Sequence, residues 1–106
     1  MSRGLHLYVM QMDKTGAIKV GRSSNPEARR RSLQTGCAYE IRILLVADGQ
    51  GHREKKLHKE MAKHRQAGEW FNEEAIGFIP DDLYDLMSLE TVEMVNSDWW
   101  KADKTY

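Results

Sequence analysis

Five positively charged side chains surround one predicted strand-to-helix turn. The stretch IKVGRSSNPEARRRSLQTG, residues 18–36, contains Lys19, Arg22, Arg29, Arg30 and Arg31. Cations grouped in this way suit phosphate binding, because guanidinium and ammonium groups donate charge-assisted hydrogen bonds to phosphate oxygens. A helix that only exposes its charges to solvent gives the same composition, so other residues must decide between the two interpretations.

Phosphodiester hydrolysis needs residue types that this chain also contains. The reaction requires an activated water, a base, neutralisation of the phosphate charge and help for the leaving oxygen. Glu54 can hold Mg²⁺ or Mn²⁺, which take oxygen ligands and keep several waters, and His58 follows it by one helical turn. The ordinary alternatives are a plain ion pair for Glu54 and a helix-face position for His58.

A hairpin is predicted near the N-terminus. Two segments rich in β-forming residues flank a turn signal: residues 5–12 (LHLYVMQM), 13–16 (DKTG) and 17–21 (AIKVG). With a loop of these four residues, Tyr8 pairs with Gly21 and shares a face with Lys19. Gly21 leaves space over the Tyr8 ring. Lys19 is expected to lower the pKa of Tyr8, so that the phenolate acts as a base, the alternative being an ordinary strand aromatic.

A basic helix is predicted to follow this hairpin, capped by Asn25, started by Pro26 and closed by Gly36. At about 100° per residue, one arc holds Ala28, Arg29, Ser32 and Leu33. Arg29 is therefore expected to point towards the body of the protein, as a phosphate clamp or in a structural ion pair. The predicted nucleic-acid contacts are the polar groups left outside: Arg22, Ser23, Arg30 and Arg31.

The remaining elements complete an α/β fold of the α+β type, with a small three-stranded antiparallel sheet flanked by helices. Residues 40–47 form a third strand, whose continuous apolar run predicts a central, well-covered position. Residues 52–65 form a second helix with Leu57 and Met61 on its buried side and Glu54 at the edge of that side. The segment GEWF, residues 68–71, is expected to pack back on the core.

Composition indicates one globular domain with an uneven charge distribution. The chain has 106 residues, of which 41% are hydrophobic and 30% charged, and the single cysteine, Cys37, favours a reducing, cytoplasmic location. Residues 1–68 hold 14 Lys and Arg against 6 Asp and Glu, whereas residues 69–106 hold 2 against 10. Such a basic body with an acidic tail favours a polyanion ligand, although the halves also neutralise each other within one fold.

The acidic segment 73–106 is predicted to be a helical extension packed on the same domain. Asp81 or Asp82 can cap a helix that carries Leu83, Leu86, Met87 and Val92. Trp99 and Trp100 suit the core, a partner contact or base stacking. No apolar run reaches the roughly 18 residues of a membrane span, so no membrane partner is expected.

The order LYV, IKVGRSSNPEARRRSLQTG, EKKLH and GEWF resembles the GIY-YIG nuclease superfamily, and within it a branch frequent in phage genomes. The resemblance covers residues 6–71, so residues 1–72 are interpreted as the nuclease core. It departs from the superfamily signature at His6 and Leu7, and at Lys19, where the phage branch commonly has lysine. Asn72 is a candidate for the superfamily's late asparagine.

The resemblance implies a domain that cuts DNA with one divalent metal ion, Mg²⁺ or Mn²⁺. Tyr8 matches the signature tyrosine, Arg29 the helical arginine, Glu54 the metal-binding glutamate and His58 the branch's own histidine, while Val20 and Gly21 end the second signature. These assignments give Tyr8 as base, Lys19 as its electrostatic partner, Arg29 as clamp, Glu54 as metal ligand and His58 as an assisting residue. They imply cytoplasmic action on DNA, within a host cell if the chain is phage-encoded.

Three functions therefore remain open from the sequence. The first is a DNA endonuclease or nickase, and the second is a non-catalytic nucleic-acid-binding module of the same fold, regulated by its acidic tail. The third is an interaction protein whose acidic tail mimics DNA. Homodimerisation, or a protein partner bound through the acidic segment, is compatible with each of them.

Overall fold

The computed structural model describes residues 5–85, which form a five-stranded antiparallel sheet with three short helices. The α-helices and strands are β1 His6–Met12, β2 Ile18–Ser23, α1 Pro26–Gln34, β3 Ile41–Ala47, α2 Glu54–Glu60, β4 Arg65–Ala67, β5 Trp70–Phe71 and α3 Asp81–Tyr84. Segments of 3₁₀-helix lie at Gly51–Arg53, Ala62–His64 and Glu73–Phe78. The strand order is β3-β1-β2-β5-β4, and every neighbouring pair is antiparallel.

The α+β class is confirmed, but the predicted count of three strands was wrong. The two additional strands, β4 and β5, have three and two residues. Strands this short contain too few residues for the two-residue alternation to appear in the sequence. They matter for the site, because β5 extends the sheet from the edge of β2.

The predicted register of the first hairpin is confirmed. Tyr8 pairs with Gly21 and Met10 with Lys19. The backbone N–H of Met12 donates to the carbonyl of Ala17 at 3.0 Å, which closes the four-residue loop as expected. Tyr8 and Lys19 consequently emerge on the same face of the sheet.

The expected central position of β3 was wrong, since β3 lies at one edge of the sheet. Its apolar run has another cause. Val9 pairs with Leu45 and Met10 with Ile43, so Leu44 is the extra residue of a β-bulge. The bulge breaks the alternation and lets Leu44 and Leu45 both enter the same core, which explains consecutive leucines in an edge strand.

Helix α1 begins as predicted and is rotated relative to the predicted arc. The Asn25 side chain accepts from the Ala28 N–H at 3.1 Å and Pro26 is the first helical residue. Ser32, expected inside, is exposed, whereas Arg30, expected outside, is half-buried. The Gln34 side chain bonds the backbone of Tyr39 and Ile41 at 2.8 Å each. These contacts with the start of β3 help to fix the rotation, and a helical wheel contains no such information.

The two faces of the sheet carry different cores. One face of the hairpin packs Leu7, Val9, Ile18 and Val20 against residues of α2, β3, β5 and the acidic segment. Those residues are Leu44, Leu45, Ala47, Leu57, Met61, Phe71, Ala75, Ile79 and Leu83. The opposite face buries Tyr8, Met10 and Ile41 beside groups that include Leu33 of α1 and Trp70 of β5.

The structure tests all of the predicted second helix but only the beginning of the acidic segment. The predicted helix 52–65 is α-helical only over Glu54–Glu60, with 3₁₀ turns on either side, and Leu57 and Met61 are buried as expected. Helix α3 begins at Asp81, and the predicted positions Leu86, Met87, Val92, Trp99 and Trp100 lie outside the described residues. Within residues 5–85, no helix is both long and apolar enough to cross a membrane.

Candidate active site

Tyr8 lies on the face opposite the main core, with its ring directly over Gly21. The side chain is buried, at 2% relative exposure. A Cβ atom added to Gly21 would overlap the Tyr8 hydroxyl oxygen and Cζ. Every other residue type at position 21 would therefore displace the ring, so the glycine is required by the tyrosine that crosses it.

The Tyr8 hydroxyl has one cation and two carboxylates in its surroundings. Burial raises the pKa of Tyr8 above its ordinary value of 10.0, the hydrogen bond and charge of Arg29 lower it, and the charges of Glu69 and Glu54 raise it further. Burial and the two carboxylates outweigh Arg29, so the phenol is neutral at neutral pH. The expectation that Lys19 lowers the pKa of Tyr8 was wrong, because Arg29 is the cation that acts on the hydroxyl.

Lys19 instead forms an ion pair with Glu69. Its Nζ atom lies 3.0 Å from Oε2 of Glu69 and 5.9 Å from the centroid of the Trp70 ring, and the residue is only 3% exposed. The hydrogen bond and charge of Lys19 hold the pKa of Glu69 below its ordinary value, with smaller contributions from His58 and Arg29. Lys19 therefore neutralises a carboxylate at the site.

Glu69 is the site residue that sequence reasoning missed. The motif GEWF was interpreted only as a packing segment, although its glutamate immediately precedes Trp70, which pairs with Lys19 across β2 and β5. The signal was an acidic residue beside two aromatic residues that return to the core. To predict that Glu69 pairs with Lys19, one must know that β5 lies beside β2, and a strand of two residues does not reveal this in the sequence.

Arg29 extends from α1 to the Tyr8 hydroxyl, with which its side chain forms a hydrogen bond. The residue is exposed, yet its charge acts on both Tyr8 and Glu69. Arg29 is therefore accessible to a ligand while it remains close to the phenol. A guanidinium in this position can donate two parallel hydrogen bonds to a phosphate.

Glu54 is the first residue of α2, and its carboxylate is the group that the sequence predicts to bind the metal. Its side chain is 17% exposed, and Oε1 lies 3.9 Å from Nε of Arg22. Within residues 5–85 no group of three or more His, Cys, Asp or Glu side chains is arranged to hold a metal. One carboxylate is still compatible with Mg²⁺, because this ion keeps several waters and takes one or two protein carboxylates.

His58 fastens α2 to the edge of β2. Its Nε2 atom lies 2.5 Å from the Val20 carbonyl, and the ring packs at 5.5 Å between centroids on Phe71. A carbonyl only accepts hydrogen bonds, so Nε2 carries the proton and donates it. Strand β5 pairs with β2 only at Ile18 and Lys19, so His58 occupies the edge just beyond that pairing. Nδ1 is the ring atom left for contact with a ligand.

The residues predicted to contact nucleic acid have different surroundings. Arg22 is half-exposed beside Glu54, and Arg31 is exposed. The Ser23 hydroxyl accepts from the Asn25 N–H at 3.0 Å. Arg30, also predicted to contact nucleic acid, pairs with an acidic residue of its own helix, since its Nε lies 2.8 Å from both carboxylate oxygens of Glu27.

Asn72, the candidate for the late asparagine of the nuclease signature, has a structural contact. Its side chain caps the 3₁₀-helix Glu73–Phe78 by accepting from the Glu74 N–H at 3.0 Å. Arg29, Glu54 and Glu69 act on Tyr8, and Lys19 and His58 act in turn on Glu69.

These features define a small α+β domain with a polar site beside the edge of an antiparallel sheet. The profile of a family described as the T5orf172 domain matches residues 5–97. Because the match spans most of the chain, the chain belongs to the T5orf172 family, a phage-associated domain related to nuclease folds. No curated protein and no solved structure matches the chain.

Proposed function

We propose that this chain is a metal-dependent DNA endonuclease or nickase of the GIY-YIG type. The observation that carries the proposal is the grouping at the Tyr8 hydroxyl, which Arg29 hydrogen-bonds and on which the charges of Arg29 and Glu54 both act. A buried phenol, an accessible arginine and a partly buried carboxylate are the groups that phosphodiester hydrolysis needs. Membership of the T5orf172 family supports a nuclease or nucleic-acid-binding role.

In this proposal Arg29 binds two oxygens of the scissile phosphate and Tyr8 accepts the proton of the attacking water. The water oxygen forms a bond to phosphorus, the bond to the leaving oxygen breaks, and that oxygen takes a proton from solvent. Glu54 would hold Mg²⁺ or Mn²⁺, which supplies neutralisation of the phosphate charge. His58 holds α2, and thereby Glu54, against β2 through its Nε2, which leaves Nδ1 as the ring nitrogen for contact with a ligand.

The raised pKa of Tyr8 determines how the base operates. Since burial keeps the phenol protonated at neutral pH, only a small fraction is phenolate, and Arg29 is the protein group that stabilises this fraction. Binding of a phosphate to Arg29 would compete for the same guanidinium. The proposal therefore requires a reaction that accelerates as pH rises towards the pKa of Tyr8.

Cleavage of a supercoiled plasmid with Mg²⁺, with Mn²⁺ or with EDTA tests the proposal. We expect metal-dependent nicking by the wild type, and its loss in Glu54→Gln with DNA affinity retained. Glu60→Gln is the matched control, because Glu60 is an exposed glutamate of the same helix. Tyr8→Phe keeps the ring and removes the ionisable group, so it should lower the rate by about 10²- to 10⁴-fold.

A non-catalytic DNA-binding module is the second candidate, favoured by the raised pKa of Tyr8, which makes the phenol a weak acid and its base form scarce. In this function Arg29 and the surrounding cations would bind a phosphate of the DNA without cleaving the DNA strand. Tight binding of DNA by the wild type, with no cleavage under any divalent metal, would establish this function and exclude the enzyme.

A further inference from the structure

We propose that three lysines of α2, the lysine ridge Lys55, Lys56 and Lys59, bind the phosphate backbone of the DNA that flanks the candidate active site. The proposal rests on the proposed function, in that the ligand of the neighbouring site is DNA. None of these three residues was among the contacts that the sequence predicted. The structure points to them through their exposure, their arrangement and their distance from other charges.

The lysine ridge is an exposed positive surface whose ammonium groups form no ion pair within residues 5–85. Lys55, Lys56 and Lys59 are all exposed. No carboxylate within residues 5–85 lies within ion-pair distance of any of them. At about 100° per residue the three side chains share an arc of about 100°, which makes them one ridge instead of scattered charges.

The packing of α2 places this ridge next to the site. Leu57 points into the main core and His58 holds the helix to the carbonyl of Val20, so the orientation of α2 is defined by two contacts. Glu54, at the first position of the same helix, acts on Tyr8. The ridge therefore begins one residue after the proposed metal ligand and continues along the outer side of α2.

Two of the arginines predicted to contact nucleic acid, Arg22 of β2 and Arg30 of α1, are less available than the lysines of the ridge. Arg30 is bound to both oxygens of Glu27, and Arg22 lies beside Glu54 at 3.9 Å. Arg31 is exposed. An ion pair that already exists in the free protein must be broken or shared before its cation neutralises a phosphate. The three lysines form no such ion pair among the described residues, so they suit the role predicted for Arg22 and Arg30.

The length of the ridge corresponds to a short run of backbone. A helix rises about 1.5 Å per residue, so the four residue steps from Lys55 to Lys59 extend about 6 Å along α2. Successive phosphates of one DNA strand are about 3.4 Å apart along the duplex axis. The ridge therefore spans about two phosphate intervals, which join three phosphates, one for each lysine.

Binding to an uncleaved duplex in EDTA, measured by fluorescence anisotropy at several salt concentrations, tests the proposal. Each phosphate contact contributes about 0.9 to the slope of log affinity against log salt. Replacing Lys55, Lys56 and Lys59 together by Gln should therefore flatten that slope by about 2 to 3. Glutamine has nearly the helix propensity of lysine, and a thermal unfolding curve checks that the variant remains folded.

A matched pair of single variants separates a local contact from a general charge effect. Lys59→Gln should flatten the slope by about 0.9, whereas Lys14→Gln, which removes an exposed lysine of the hairpin loop, should leave it unchanged. If the wild type binds DNA and the triple variant keeps the wild-type slope, the lysine ridge is a solvated face and this inference is wrong. If the wild type binds no DNA, the proposed function fails with it.

Discussion

The two faces of the β1–β2 hairpin are built from alternating residues of the same two strands and have opposite chemistry. Leu7, Val9, Ile18 and Val20 enter an apolar core, whereas Tyr8 and Lys19 carry polar groups on the other side. Alternation along a strand therefore assigns stability to one face and the candidate site to the other. Substitutions on the first face should act on folding and those on the second on function.

The polar face is buried without leaving its polar groups unpaired. Lys19 has Glu69, and within the described residues no buried side-chain nitrogen or oxygen lacks a hydrogen-bond partner. An unpaired buried polar group costs about 1–3 kcal/mol, so this pairing makes such a face tolerable in a small domain. The two faces thus differ in chemistry, because one is apolar and the other holds polar groups whose hydrogen bonds are satisfied.

The largest expected effect on folding is the loss of a large side chain from the apolar face. Leu7→Ala should lower the free energy of unfolding by about 2–5 kcal/mol, because Leu7 is completely buried. Urea denaturation of this variant beside Tyr8→Phe measures the contrast. A loss in Tyr8→Phe as large as that in Leu7→Ala would break the division between the faces.

A smaller loss of stability, with a large loss of cleavage, is expected for Gly21→Ala. The added methyl group overlaps the Tyr8 hydroxyl and ring, and such overpacking costs about 1–3 kcal/mol. Gly77→Ala is the control, since a Cβ there meets no atom within 4 Å. Plasmid nicking and urea denaturation are measured together, and wild-type cleavage by Gly21→Ala would show that the position of the Tyr8 ring is irrelevant.

The pH dependence of cleavage sharpens the role of the polar face. Because burial raises the pKa of Tyr8 above 10.0, the phenolate fraction keeps increasing through neutral and mildly alkaline pH. The rate should therefore rise by about tenfold per pH unit between pH 7 and 9, and Tyr8→Phe should lose this dependence. A pH profile that is level over this range in the wild type would argue against Tyr8 as the base.

The smallest effect is expected for the ion pair of the polar face. In Lys19→Met the pKa of Glu69 should rise towards its ordinary value of 4.5, which an NMR titration of the carboxylate measures. Since pairing lowers this pKa, the stabilisation exists above pH 4.5 and disappears as pH falls through the folded-state value. Exposure of Glu69 keeps the change in stability small, and an unaltered pKa would show that Lys19 is not its partner.

Local features of this fold were predictable from the sequence. The loop of four residues specified the pairing of Tyr8 with Gly21, and Asn25 with Pro26 specified the start of α1. Both depend on residues close together in the chain. The relation of Arg29 to Tyr8 was also anticipated, although the predicted rotation of α1 was not correct.

Long-range contacts decided what the sequence left open. β3 lies at an edge of the sheet and has a bulge at Leu44, Gln34 ties α1 to the start of β3, and the pairing of β5 with β2 brings Glu69 to Lys19. None of these contacts leaves a periodic signal, because each depends on the spacing between segments distant in sequence. The sequence by itself determined the hairpin register and the residue types of the site. Only the tertiary structure decided which charges act on Tyr8, since the pKa of a buried phenol depends on every group packed around it.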